Sequence, residues 1–267
     1  MSIADLQSRG CLPHGERAVV HSFGPHHGEE DVLRGWKGSG TIFFSWCNLR
    51  CVFCQNWEIS HKGIGRAVAP KELATMMLDL QERGCHNINF VSPSHVVAQI
   101  LAAVEIAAGE GLRLPLVYNT GGYDSSEALA LLDGVIDIYM PDMKYGDSVV
   151  AHQYSKVRNY VEVNNAAVKE MHRQVGDLVL DERGLVKRGL LIRHLVLPGN
   201  RAGTEKVLEF IANEISPNSY LNLMDQYRPC YRAEEYPPLD RPIKAAEYRT
   251  VLELAKRRLD PECVLLV

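Results

Sequence analysis

Several features are scarce in this chain of 267 residues, and each scarcity closes off a possibility. Charge of one sign is not in surplus: 29 Lys and Arg stand against 33 Asp and Glu, a net −4. That balance gives no electrostatic reason to expect nucleic acid or an anionic membrane surface as a partner. Long hydrophobic runs are missing too. The longest, residues 96–108, is too short to span a bilayer and carries Gln99 and Glu105. Residues 1–10 lack the basic-then-apolar order of a signal peptide. No internal repeat, low-complexity segment or linker breaks the chain. The seven cysteines form no paired framework, which fits a reducing cytoplasm rather than a disulfide scaffold.

What remains is a chain that is 46% hydrophobic and of a size that suits one large α/β domain. Residues 1–39 are rich in Gly, His and charge with little periodicity, and read as a lead-in that packs over one end of a domain spanning 40–267. From Gly40 the pattern alternates strand and helix. Strands are expected at 40–45, 87–91, 114–118, 135–140, 189–197 and 220–224. Helices are expected at 70–84, 96–108, 126–132, 148–175, 203–215 and 245–259, with a hairpin turn at Asp181-Glu182-Arg183-Gly184. Six strands alternating with helices argue for a parallel sheet with right-handed crossovers. In such folds the chemistry sits where the strands end.

The first strand ends in Cys47, Cys51 and Cys54, spaced C-x3-C-x2-C. Thiolates this close together call for a soft metal. A closed zinc site wants four ligands, and here the fourth would be distant, His26 or His27. An iron–sulfur cubane on three cysteines instead leaves one iron open to a substrate. The stretch Cys47-Asn48-Leu49-Arg50-Cys51-Val52-Phe53-Cys54-Gln55-Asn56 resembles the radical S-adenosylmethionine (SAM) superfamily. Within it, the likeness is to activating enzymes of glycyl-radical proteins, such as pyruvate formate-lyase activating enzyme. The resemblance covers roughly residues 40–230.

The resemblance implies a partial (β/α)6 barrel, a [4Fe–4S] cluster on Cys47, Cys51 and Cys54, and SAM chelating the open iron. One electron from the cluster would cleave SAM to methionine and a 5′-deoxyadenosyl radical, which abstracts a hydrogen; Fe–S potentials reach about −700 mV. The implied partners are an electron donor such as flavodoxin or ferredoxin, and a glycyl-radical protein, a small molecule or a peptide as substrate. A non-catalytic Fe–S or zinc protein is the reading from another class.

The resemblance also marks SAM-binding candidates. Phe53 stands where the family has an aromatic beside the adenine; core packing is its other role. After the second strand, Ser92 and Ser94 replace a Gly-Gly-Glu that holds the SAM ammonium, and Ser94 is also placed to cap the next helix. Asn119 stands where the activating enzymes have an Asp-Thr pair that helps bind a monovalent cation. Asp142 and Lys144, two apart and on one side of extended chain, match the family's Asp-x-Lys. Arg193, a charge within an apolar strand, needs a carboxylate, either that of SAM or an internal Asp or Glu. His194 faces the other way as a structural histidine. Gln226 stands near the family's adenosine-side His. The loop of His26, His27, Glu29 and Glu30 reads as solvated.

Overall fold

In the computed structural model, residues 17–266 are described; Cys11 and the first part of the lead-in lie outside them. The strands are β1 (Ala18–His26), β2 (Ser39–Phe44), β3 (Arg66–Val68), β4 (Ile88–Val91), β5 (Leu116–Thr120), β6 (Ile138–Pro141), β7 (Val179–Leu180), β8 (Val186–Leu195), β9 (Tyr220–Met224) and β10 (Val264–Leu266). The main helices are α1 (Asp31–Arg34), α2 (Trp57–Lys62), α3 (Pro70–Glu82), α4 (Val97–Gly109), α5 (Ser126–Leu132), α6 (Ser148–Ser155), α7 (Tyr160–Val175), α8 (Thr204–Phe210) and α9 (Ala245–Arg258).

The sheet runs β10-β9-β8-β6-β5-β4-β2-β1-β3. All pairs from β2 to β10 along that path are parallel, while β1 joins β2 and β3 antiparallel. The mixed α/β fold with a central parallel sheet, expected from the alternation, is the one observed.

Strand parity separates two environments. Ile42, Phe44, Phe90, Tyr118, Ile192 and Leu221 join the main apolar core with the helices. Each such side chain, fully buried, contributes about 1.5–3 kcal/mol. The opposite face holds Thr41, Asn89, Val117 and Ile138 in one register row, and further up Asp142, Arg193 and Asn222 in another. This second face lines the barrel lumen, apolar low down around Val117 and Ile138 and polar in the Asp142–Arg193–Asn222 row above.

Local chemistry sets the helices. Pro70 opens α3, and Glu72 accepts from the Ala69 N–H at 2.8 Å. Leu73, Met77 and Leu80 then fall on one buried stripe. Asp147 caps α6 by accepting from the Val149 N–H at 2.7 Å.

The structure departs from the periodicity in identifiable places. The described part of the lead-in contains a nine-residue strand, β1, whose residues, two buried and the rest half-exposed or exposed, leave no alternating pattern to read. From His26 the chain crosses the lower mouth of the barrel. There α1 buries Leu33 among Val117, Ile138 and Leu191, and Asn87 holds the Leu33 carbonyl at 2.8 Å. The loop before Pro70 contains α2. The helical stretch 148–175 is two helices, parted at Lys156, which takes φ 64°. The stretch 203–215 turns from α8 into a π-helical turn over Ile211–Ile215. β10 adds a parallel strand beyond β9. The hairpin turn is present, with Asp181 accepting from the Arg183 and Leu185 N–H groups at 2.8 and 3.0 Å. Among the described residues, no helix is long and apolar enough to cross a membrane.

Candidate active site

The cysteine loop leaves the top of β2 and is held by the residues between its cysteines. Leu49, Val52 and Phe53 are buried in an aromatic cluster with Tyr145, Tyr154, Tyr160 and Tyr227. Backbone hydrogen bonds tie Arg50 to Ser155 and Val52 to Tyr154, at 3.0 and 2.8 Å, and Arg232 to Val52 at 2.9 Å. The loop is thus clamped between α6 and the segment after β9.

Each sulfur has a polar neighbour. The Leu49 N–H donates to Cys47 Sγ at 3.4 Å. Cys51 Sγ lies 2.9 Å from Ser155 Oγ, which is itself 2.7 Å from the Tyr145 hydroxyl. Ser60 and the Asn56 N–H serve Cys54. Burial, together with repulsion from Cys51 and Cys54, pushes the Cys47 thiol up to about 12. Burial likewise raises Cys51 and Cys54, with Lys144 pulling the other way. Cys51 is buried and Cys47 and Cys54 are half-buried; three such sulfurs that resist ionisation as bare thiols, each within reach of a donor, suit a cationic metal cluster that replaces their protons.

Beneath the loop, four of the candidate residues come together. Lys144 Nζ forms an ion pair with Asp142. Arg193 Nε meets the other Asp142 oxygen at 2.9 Å, and its Nη2 donates to Asn119 Oδ1 at 2.7 Å. A residue the sequence left in a solvated loop completes the group: Glu29 reaches Arg193 Nη1 at 3.9 Å, with its side chain 8% exposed. Arg193 therefore has internal carboxylates. Burial opposes the charge on Asp142, but Arg193 and Lys144 outweigh it and hold its pKa below the usual value. Burial raises Glu29 to about 7, and Arg193 offsets only part of that.

Helix α7 clips the loops that carry these groups. The Tyr160 hydroxyl accepts from the Lys144 N–H and bonds the Gly121 and Asp142 carbonyls, each at 3.0 Å. Asn164 donates to the Gly122 and Asp142 carbonyls at 2.8 and 3.1 Å. A side chain at Gly122 (φ 73°) would strike Asn164 and the Asp142 carbonyl, so this tight approach requires glycine. Behind the loop, His194 donates from Nδ1 to the Met143 carbonyl at 2.5 Å and accepts from Thr204 at 2.8 Å. Burial lowers it to about 4, so it is a neutral structural histidine.

The remaining candidates are placed otherwise. Ser92 takes φ 58° after β4, its N–H on the Asn119 carbonyl at 2.9 Å. Ser94 does not cap α4, whose first turn has no side-chain cap; its hydroxyl is 3.0 Å from Thr120 Oγ1. Phe53 packs edge-on against Tyr227, centroids 5.8 Å apart. Gln226 lies exposed in the loop after β9. Sequence reasoning missed Ser155, Tyr160, Asn164 and Glu29. Only Asn164 and Tyr160, polar residues on the buried stripe of an amphipathic helix, left a signal.

Comparison with known proteins settles the family. The radical SAM superfamily model matches residues 41–211. The chain belongs to the radical SAM superfamily. It is 35% identical over 240 residues to the uncharacterized protein MJ0674 of Methanocaldococcus jannaschii, covering 87% of this chain and 65% of that protein. This radical SAM chain thus spans about two-thirds of that relative's length. In fold it is similar to a radical SAM methyltransferase from Sphaerobacter thermophilus, at TM-score 0.55 and 14% identity, over 96% of this chain and 78% of that one. It is also similar to anSMEcpe with bound AdoMet, at TM-score 0.54 and 12% identity, over 80% and 57% of the two chains. The cofactors of the radical SAM family are a [4Fe–4S] cluster and SAM, and the three hydrogen-bonded sulfurs fit the first of them.

Proposed function

We propose that this radical SAM enzyme cleaves SAM reductively and uses the resulting radical to take a hydrogen from a small polar molecule or peptide side chain admitted to the lumen. The observation that carries this reading is the run of ionised and polar groups, Lys144, Asp142, Arg193 and Asn119, directly below the cysteine loop. When bound, the cluster supplies one electron to the SAM sulfonium, and the released 5′-deoxyadenosyl radical abstracts the substrate hydrogen. Cys47, Cys51 and Cys54 would hold the cluster. Ser155, Ser60 and the Leu49 N–H orient their sulfurs. Asp142 and Lys144, on the loop whose backbone Tyr160 and Asn164 clip, present one charge of each sign to SAM.

The activating-enzyme role, a glycine Cα–H on a partner protein, is the second reading. It is favoured by the Asp142–Lys144 pair and the Leu49-Arg50-Cys51-Val52-Phe53-Cys54 sequence. For the electron donor, a cavity of about 280 Å³ beside the loop is lined by Arg50, Lys156 and Arg232 with His61 and Tyr231. Its charge complements an acidic carrier such as flavodoxin or ferredoxin.

The test is anaerobic: reconstitute with iron and sulfide, reduce with dithionite, add SAM, and assay 5′-deoxyadenosine, with Cys51→Ala as control. Production that disappears in the variant supports the reading. A loaded cluster that never cleaves SAM sinks it. Growth of a glycyl-radical signal on a partner protein would select the activating role.

A further inference from the structure

Below Arg193 the lumen contains buried polar atoms with no partner. Glu30 Oε1 accepts from Asn222 Nδ2 at 2.8 Å, which fixes the amide orientation and leaves Glu30 Oε2 and Asn222 Oδ1 without hydrogen bonds. Asn222 is 3% exposed, and it faces the same side as Arg193, its register partner on the neighbouring strand. The Glu29 carboxyl, next in the chain to Glu30, lies against Arg193 in the same space. Further along the same lumen face, both polar atoms of fully buried Asn89 are also unpartnered. Each such atom is costly to bury unless something meets it. The two free atoms at this corner, Glu30 Oε2 and Asn222 Oδ1, are both acceptors, and together with the Glu29 carboxyl beside them they complement the three N–H bonds of a primary ammonium.

The geometry points to a binding site for a small primary amine at the floor of the barrel, its ammonium held by Glu30, Asn222 and Glu29. This deepens the proposed function, resting on it only in taking the amine to be the substrate. Charge balance agrees. Arg193 and Lys144 face Asp142 and Glu30, two of each sign, and Glu29 is the fifth group. Its ionisation is opposed by burial, by the charges of Glu30 and Asp142 and by a side-chain hydrogen bond to Glu30 that needs its proton, and is favoured by Arg193; the balance lies at about 7. An ammonium entering beside it favours the carboxylate, so binding near neutral pH releases a proton. Glu29 and Glu30 lie on the segment that crosses the lower mouth, and Asn222 stands level with Arg193, below the cysteine loop. α1 and Leu33 close the mouth beneath them.

The experiment is calorimetric titration of the full chain, cluster reconstituted and oxidised, with n-butylamine at pH 7 in two buffers of different ionisation enthalpy. The neutral n-butanol and potassium chloride are titrated in parallel. The expected result is saturable amine binding with proton release and no binding of butanol. Glu30→Gln and Asn222→Ser should each weaken amine binding at least about tenfold by removing one strong acceptor. If Glu30→Gln does not fold, Asn222→Ser decides. No saturable heat, meaning that water alone fills the site, overturns the proposal. So does equal binding by the folded variants or by butanol, or potassium binding that Asn222→Ser removes while the amine does not bind. SAM cleavage measured on the same preparation separates this failure from failure of the radical SAM reading.

Discussion

At the cysteine loop, burial wins and holds three thiols protonated. In the lumen just below, burial is outweighed: Asp142, Lys144 and Arg193 stay ionised because each faces an opposite charge within hydrogen-bond reach. The loop lacks its compensating charge and must import one as metal. The lumen carries its own. Metal loading should therefore depend on the loop and the stability of the metal-free chain on the lumen.

The sharpest break in that comparison is Cys47→Ala. Iron bound after reconstitution should fall to background, while the thermal midpoint of the cluster-free chain moves by the equivalent of less than about 1 kcal/mol, since the thiol packs as a small apolar group. Arg193→Met should do the reverse. It strips Asp142 of one of two cations and costs about 3 kcal/mol in denaturant unfolding, yet leaves the three sulfurs able to take up iron. Gly122→Ala, strained and sterically blocked by Asn164 and the Asp142 carbonyl, should cost about 1–3 kcal/mol by the same measurement. Tyr160→Phe leaves the Lys144 N–H without its acceptor and should cost about 1–2 kcal/mol, with a raised KM for SAM if the clip positions the pair. Glu29 sharpens the comparison through pH. Its carboxyl is raised from an ordinary 4.5 to about 7, so the folded state holds a proton that the unfolded chain has released. The stability this gives is complete below pH 4.5 and lost as pH rises through about 7. Glu29→Gln should remove that decline, and unfolding midpoints measured from pH 4 to 8 would reveal it.

Much of this was legible in the sequence. The strand-helix alternation gave the parallel sheet because outward-facing residues such as Ile42, Phe90 and Ile192 follow the period-2 rule within short apolar runs. The cysteine spacing gave the loop, since three thiols on eight residues need no long-range information. Asp142 and Lys144 met because extended chain puts alternate residues on one side. Glu29 was not legible. Its partner lies on β8, far along the chain, and its surroundings in sequence are those of a solvated turn. Ser155 escaped for a similar reason: it meets Cys51 across 104 residues, and no local pattern distinguishes it from any helix-terminal serine. The strand β1 was hidden because its burial is irregular along its length, so no period-2 pattern marks it.

The bond between Glu30 and Asn222 joins positions 192 residues apart. Closing a loop of that length is entropically slow, so the floor should seal late, after the helices and neighbouring strands have assembled. Contacts made after the folding barrier leave the folding rate almost untouched and act on the unfolding rate. A weakened floor would let an otherwise normally folding chain open sooner, so the Glu30–Asn222 contact acts as a latch on the lifetime of the folded state.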